Sequence, residues 1–419
     1  MQLEKYLAVL RRPIACVIVD QALYSVTTFV TGVLLARALS TSDYGIYVLA
    51  VTLVLMILGV QRALVSVPYT VRRAKHESTE LAAYGGSVLL HELTLLTICA
   101  IVCLVLLAFA RSGALDAPMM GAFALAVVGV LFRDFVRAFL LSSLNVGRVL
   151  RIGIAVNVLQ LAMLGLLAGL ERLAPTSAFV VIGACSAVPA LLVYWRSAPI
   201  SFDRTRFARD FAANFKLGRW IVGSSLLFAL GTQSYAWLLA LFGNAEAVAV
   251  FGVASFLAGV LNPLQQAITA YLLPAMTVNG AGSRKEDVVR GMYRAVICLG
   301  ALYAAWLLVG ALFGERLLTA VYSDRYAGSG AVLLLLIASA FVSAITAPVN
   351  TALDALERPD VSFRTLAAGL AVTVVCGTLA TVKWGVHGAA LGVLLSNAAT
   401  CVLRWRAVTK LLSSRSQSD

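Results

Sequence analysis

The sequence predicts an all-α membrane protein of about twelve transmembrane helices in two six-helix lobes, with both termini cytoplasmic. Three observations carry that expectation. First, 61% of the 419 residues are hydrophobic and only 13% are charged, with a mean hydropathy of +0.91; soluble domains of this length do not have that balance. Second, the apolar residues fall into twelve runs, each about as long as the ~20 residues that cross a bilayer core. Third, the basic residues are divided unevenly between alternate loops.

The runs cover roughly 14–36, 45–69, 84–110, 118–141, 152–170, 177–195, 218–242, 248–273, 292–314, 329–352, 364–382 and 388–408. The opening MQLEKYLAVLRRP is basic and leads into an apolar run too long for a cleavable signal core. It lacks an A-x-A-like site, so an uncleaved first span is expected. With the amino terminus inside, the loops on that side hold 24 of the 33 Lys and Arg residues. The opposite loops hold six: Arg37, Arg111, Arg172, Arg316, Arg325 and Lys383. Basic loops stay cytoplasmic, which sets the orientation. The same asymmetry accounts for the net charge of +13 without any nucleic acid as partner. The seven cysteines form no CxxC and lie in or beside apolar runs, as small buried hydrophobes do.

No loop is longer than about 25 residues, so no soluble catalytic domain is expected. The longest separates six spans from six and defines an N-terminal lobe (1–195), a cytoplasmic amphipathic linker (196–217) and a C-terminal lobe with a short tail (218–419). Phe207, Phe211 and Phe215 recur every four residues there, with Phe202 just off the register and Arg204, Arg206, Arg209 and Lys216 between them. A helix of that pattern lies in the membrane interface, rings in lipid and cations toward anionic headgroups. A merely basic loop is the plainer alternative.

Shifted by 204 residues, ARALSTSDYGIYVLA (36–50) falls on ALFGNAEAVAVFGVA (240–254), and Gln61-Arg62 falls on Gln265-Gln266. Six spans is an even number, so the two halves share one orientation and are related by an axis along the membrane normal.

ARALSTSDYGIYVLA also resembles the first outward turn and second span of the polysaccharide-type (Wzx-like) flippases of the MOP superfamily, the multidrug/oligosaccharidyl-lipid/polysaccharide exporters. RAFLLSSLNVGR (137–148) is similar to that family's loop after the fourth span, and ALERPD (355–360) to its counterpart in the second half. The resemblance implies a MATE-like fold in the inner membrane of a bacterium. It implies transport of a polyprenyl-pyrophosphate-linked oligosaccharide to the outer leaflet by alternating access, with polysaccharide polymerase and export proteins as further partners beside the membrane lipids.

Charged residues within the spans are concentrated in the first half. At about 1.5 Å per residue, Asp20, His91, Glu92, Arg62, Arg133 and Asp134 lie roughly 10–13 Å from the expected cytoplasmic end of their spans, and Arg137 lies nearer the interface. A charge in hydrocarbon costs on the order of 3 kcal/mol or more unless it meets water or a partner. Arg133 and Arg137 share a helix face, and Asp134 is placed to pair with Arg137 at i+3. Guanidinium forks bind pyrophosphate well, so Arg62, Arg133 and Arg137, with Gln61 and Tyr24, are the candidate substrate-binding residues. Arg137, and to a lesser extent Arg133, has a second reading as a snorkelling side chain. Asp20, Tyr24, Thr27 and Thr31 form one polar face of the first span. Asp20, Glu92 and His91 are the candidate ion-coupling residues, structural pairing of a carboxylate with an arginine being the competing reading. The second half offers neutral groups: Thr232, Gln233, Gln265, Gln266, Asn350, Ser396 and Asn397.

His76, His91 and His387 are scattered, so no metal site is expected. YGGS (84–87) lacks the GxxxxGK[ST] pattern of an ATP-binding loop, and no catalytic residues or cofactor are expected beyond H+ or Na+ as a coupling ion. A cation-coupled multidrug exporter of the same superfamily is the main alternative. The clustered arginines stand against it, because they repel organic cations. A membrane glycosyltransferase or polymerase would need a large polar loop with acidic residues, which this chain lacks.

Overall fold

The computed structural model describes residues 2–73, 78–109, 117–196, 201–277, 285–355 and 359–413. His76, Lys75, Arg111, Arg358 and the 197–200 part of the linker lie outside them. Every regular element among the described residues is helical. Eleven stretches are long and apolar enough to cross a membrane. One of them, Asp360–Lys410, has 51 residues, about twice what a bilayer core requires. It breaks at Gly385, whose backbone (φ 56°, ψ −128°) leaves the helical region; glycine adopts that conformation without a Cβ penalty. The stretch is therefore two passes, which gives twelve spans among the described residues, and the chain is a multi-pass membrane protein.

Two compact units result. The first contains residues 1–39 and 50–226, the second 40–49 and 227–419. The first unit holds α1 (Gln2–Ala38), the greater part of α2 (Thr41–Gln61), α3 (Val67–Arg73), α4 (Ser78–Phe109), α5 (Ala117–Ser142), α6 (Val146–Gly169) and α7 (Pro175–Trp195), together with the first part of α8 (Arg204–Phe242). Between α2 and α3, Arg62–Ser66 form a π-helical turn in which Val67 N–H donates to the Arg62 carbonyl. Pro68 follows directly. It has no N–H for the carbonyl four residues back, and a widened turn relieves that conflict. Along α5 and α7 the backbones approach at Gly129 and Gly183, where a Cβ on Gly129 would sit 2.2 Å from the Gly183 carbonyl oxygen. Such contacts let dispersion operate between helices that gain nothing from hiding apolar surface from lipid.

The linker forms the start of α8. Its buried face carries Asp210 and Asn214, and Asn214 Oδ1 accepts from Tyr84 Oη and Arg72 Nη1, both at 3.0 Å. Phe211 and Phe215 stack at 6.1 Å and remain half exposed, as does Phe202. Phe207 departs from the expected lipid-facing row. Its ring packs 4.7 Å from His91, and its carbonyl accepts a hydrogen bond from His91 Nε2 at 3.0 Å. Arg206 is paired with Glu80 at 3.2 Å. The helix thus has two occupied faces, one polar and docked on α4, one aromatic and open.

The second unit holds the remainder of α8, then α9 (Ala245–Ala258), α10 (Asn262–Thr277), α11 (Lys285–Val321), α12 (Gly330–Ala355), α13 (Pro359–Val372) and α14 (Thr378–Ser413). It also takes residues 40–49, and the chemistry of SDYGIY explains why. Ser40 and Asp43 cap α2 reciprocally. Tyr44 is fully buried against Tyr47 and Tyr326. A Cβ on Gly45 would fall 1.9 Å from the Ala245 carbonyl oxygen. Helices α2 and α9 begin at Thr41 and Ala245, the offset at which the two halves align. The neutral polar groups of this half act as interhelical ties: Thr373 to Ser396 (3.0 Å), Asn397 to Ser339 (2.8 Å), Ser362 to Asn350 (3.0 Å) and Tyr303 to Gln265 (3.1 Å).

Candidate functional site

The polar face of α1 packs against α6 and α5 rather than lipid. Asp20 is 2% exposed and accepts from Arg137 Nε at 2.8 Å. Its other oxygen rests on Gly153 of α6, where a Cβ would lie 2.2 Å from it. Two helical turns further along α6, Gln160 donates to Thr31 at 3.0 Å. Between them lies Asn157, 3% exposed, with neither amide atom hydrogen-bonded. The i, i+4, i+7 spacing of Gly153, Asn157 and Gln160 is a second polar stripe. The sequence reading overlooked it because it followed charges and passed over amides and glycine.

The pairing of Asp134 with Arg137 expected from their i, i+3 spacing does not occur. Asp134 binds Arg62 across the helices, Nε to Oδ2 at 2.9 Å and Nη2 to Oδ1 at 2.5 Å, and Arg137 turns to Asp20 instead. A two-bond fork between helices in a low-dielectric setting outweighs the few tenths of a kcal/mol of an i, i+3 pair along one helix. The snorkelling reading of Arg137 gives way to the same finding, because its guanidinium is held by a carboxylate buried at 3% side-chain exposure.

Arg133 differs from both. Its guanidinium lies 5.2 Å from the centre of the Tyr24 ring, a cation–π contact. Among the described residues no acidic oxygen lies within ion-pairing distance of it. Arg62 remains half exposed, with 52% of its side chain accessible.

His91 and Glu92, two of the candidate ion-coupling residues, face different neighbours. Adjacent residues on a helix point about 100° apart; His91 faces Phe207 and Phe211 of α8, whereas fully buried Glu92 accepts from Gln61 Nε2 at 3.2 Å. The second oxygen of Glu92 has no partner. Asp134 lies within electrostatic range of it. No group of three or more His, Cys, Asp or Glu side chains suited to a metal ion occurs among the described residues.

A prediction follows from the Asp20 contact. Gly153→Ala should push the Asp20 carboxylate off Arg137, with a loss of about 3 kcal/mol, the usual cost of stranding one member of a buried pair. Gly147→Ala, on the same helix with nothing within 4 Å of its Cβ, should be neutral. Thermal unfolding of the two purified variants checks this, and equal midpoints would refute it.

The described residues have the fold of solved MOP-superfamily transporters. Individual solved structures bear this out. A multidrug resistance MATE-family transporter of the MOP superfamily in an inward-facing conformation superposes with a TM-score of 0.73 at 12% identity, over 95% of this chain and 96% of the other. The lipid II flippase MurJ in an inward closed conformation gives 0.71 at 11%, over 94% and 87%. A MOP-superfamily transporter from Pyrococcus furiosus, whose reversed binding-pocket polarity suggests a different function, gives 0.64 at 14%, over 97% and 96%. No family model and no curated protein sequence matches the chain.

Proposed function

We propose that this protein is a flippase that moves a polyprenyl-pyrophosphate-linked oligosaccharide from the cytoplasmic to the periplasmic leaflet of a bacterial inner membrane, for exopolysaccharide or O-antigen-type export. The observation that carries the reading is Arg133. A guanidinium in the interior of a span that forms no ion pair of its own among the described residues, between two arginine–carboxylate pairs, is suited to receive an anion. Pyrophosphate supplies paired oxygens for the planar forks of Arg133 and Arg62, the polyprenyl chain stays in lipid, and Tyr24 orients the Arg133 fork from below. Gln61, tied to Glu92 at the base of Arg62, positions the start of the π-turn.

The superposition on a lipid II flippase supports this reading, because the same fold there handles a lipid-borne substrate. The superposition on a multidrug transporter supports the alternative, export of organic cations. An uncompensated guanidinium disfavours cations at this position, and the Pyrococcus furiosus protein is a precedent for reversed pocket polarity on this fold. Both termini are taken as cytoplasmic, which puts the arginines toward the leaflet where the substrate is assembled.

Deleting the gene should stop polymer export and leave the cytoplasmic leaflet loaded with the lipid-linked repeat unit. The check is leaflet-resolved labelling of the glycolipid. Normal polymer with unchanged leaflet distribution, in a strain with no second flippase, would count against the proposal.

A further inference from the structure

We propose that the first turns of α8 are a receptor for anionic phospholipid of the surrounding bilayer, and that lipid seated there steadies the π-turn carrying Arg62. Three stripes run along this segment. Asp210, Asn214 and Gly218 recur every four residues and are buried. Phe207, Phe211 and Phe215 flank them, about 20–100° round the helix from Asn214, with Phe211 and Phe215 half exposed. Arg209 and Lys216 are seven residues apart and share the face turned about 140–160° away from Asn214. The Arg209 side chain is 66% accessible and its pair with Asp210, at 3.9 Å, is loose. Lys216 is exposed and forms no ion pair among the described residues.

The depth of the aromatic stripe identifies its occupant. The rings of Phe207 and Phe211 lie 4.7 and 5.4 Å from that of His91, which belongs to the membrane-crossing stretch Glu80–Cys103. The row is therefore level with the bilayer, and its open side meets acyl chains. Arginine and lysine stems reach from that depth to the headgroup phosphates. An anionic headgroup fits better than a zwitterionic one, because Arg209 and Lys216 leave positive charge at this surface that only a net anion neutralises.

The buried stripe carries the consequence inward. A Cβ on Gly218 would fall 2.5 Å from the carbonyl oxygen of Ala63, inside the π-turn Arg62–Ser66. Asn214 holds Arg72 at the end of α3. The segment thus braces the turn at one point within it and at a second beyond it. A ligand that binds the seated helix and not a lifted one stabilises the seat, so lipid on the outer faces holds the backbone from which Arg62 projects.

Amide hydrogen exchange of purified full-length protein, in phosphatidylcholine nanodiscs with and without phosphatidylglycerol, tests this. Phosphatidylglycerol should slow exchange about tenfold in both 205–218 and 60–67, the size expected for two cations at an anionic surface. Arg209→Gln with Lys216→Gln should exchange as wild type in phosphatidylcholine and lose the protection. Phe211→Ser with Phe215→Ser should lose it too, although the cations remain. Millimolar inorganic phosphate in phosphatidylcholine nanodiscs should not reproduce it. No response of wild type to phosphatidylglycerol would overturn the proposal without any variant, as would protection that survives either double substitution. Equal protection by free phosphate would make the site a receptor for a soluble anion and overturn the lipid assignment. Protection confined to 205–218 would overturn the link to Arg62.

Discussion

Replacing Arg62 and Arg133 together by alanine should reduce flipping at least about a hundredfold, since each removes a charged hydrogen-bonding fork of ~2 kcal/mol. The measurement is translocation in proteoliposomes at matched protein content. The single change Arg133→Ala should cost transport more than about tenfold without loss of stability, because it leaves no ion-pair partner stranded. Arg133→Lys should retain only part of the activity: a point charge replaces a planar fork, and its stacking on Tyr24 weakens. Full activity in the double variant would show that these arginines serve topology alone. Arg137→Ala is a different perturbation from the one its position suggests. It strands Asp20 in a buried setting, so its effect should appear in stability as well as in transport.

The second large effect lies where no charge is involved. Gly129→Val should cost about 3 kcal/mol or prevent accumulation of folded protein, because its Cβ would fall 2.2 Å from the backbone oxygen of Gly183 and a backbone cannot rotate away as a side chain can. Gly121→Val, two turns earlier on α5 with nothing within 4 Å, should be tolerated. Detergent-solubilised yield and thermal midpoint of the two variants decide it. Equal behaviour would mean that α5 and α7 do not pack as closely as described.

Much of the architecture was legible because a bilayer imposes one-dimensional rules. Apolar run length gave the spans, and the break at Gly385 falls between the runs 364–382 and 388–408. The signature ARALSTSDYGIYVLA pointed to a MOP-type fold, and its Ser40–Asp43 cap, buried Tyr44 and glycine contact at Ala245 supply the packing reason. The identity of the charged residues was equally legible, since a charge within an apolar run stands out by its cost. Polar amides were not: Asn157 and Gln160 carry no charge to betray them, and the contacts of Gly153 with Asp20 and of Gln160 with Thr31 show that α6 packs on the polar face of α1.

The sequence by itself determined the apolar spans and which half carries the charges within them, because both depend on composition along the chain. Only the tertiary structure decided partnership. Local spacing offers Asp134 to Arg137, but the helices place Arg62 against Asp134 and Asp20 against Arg137. Arg133 is thereby left over the Tyr24 ring, with no ion pair of its own among the described residues. Pairing energy in a low dielectric goes to whichever geometry brings two charges into register, and that register is set by helix packing, which spacing along one helix does not reveal.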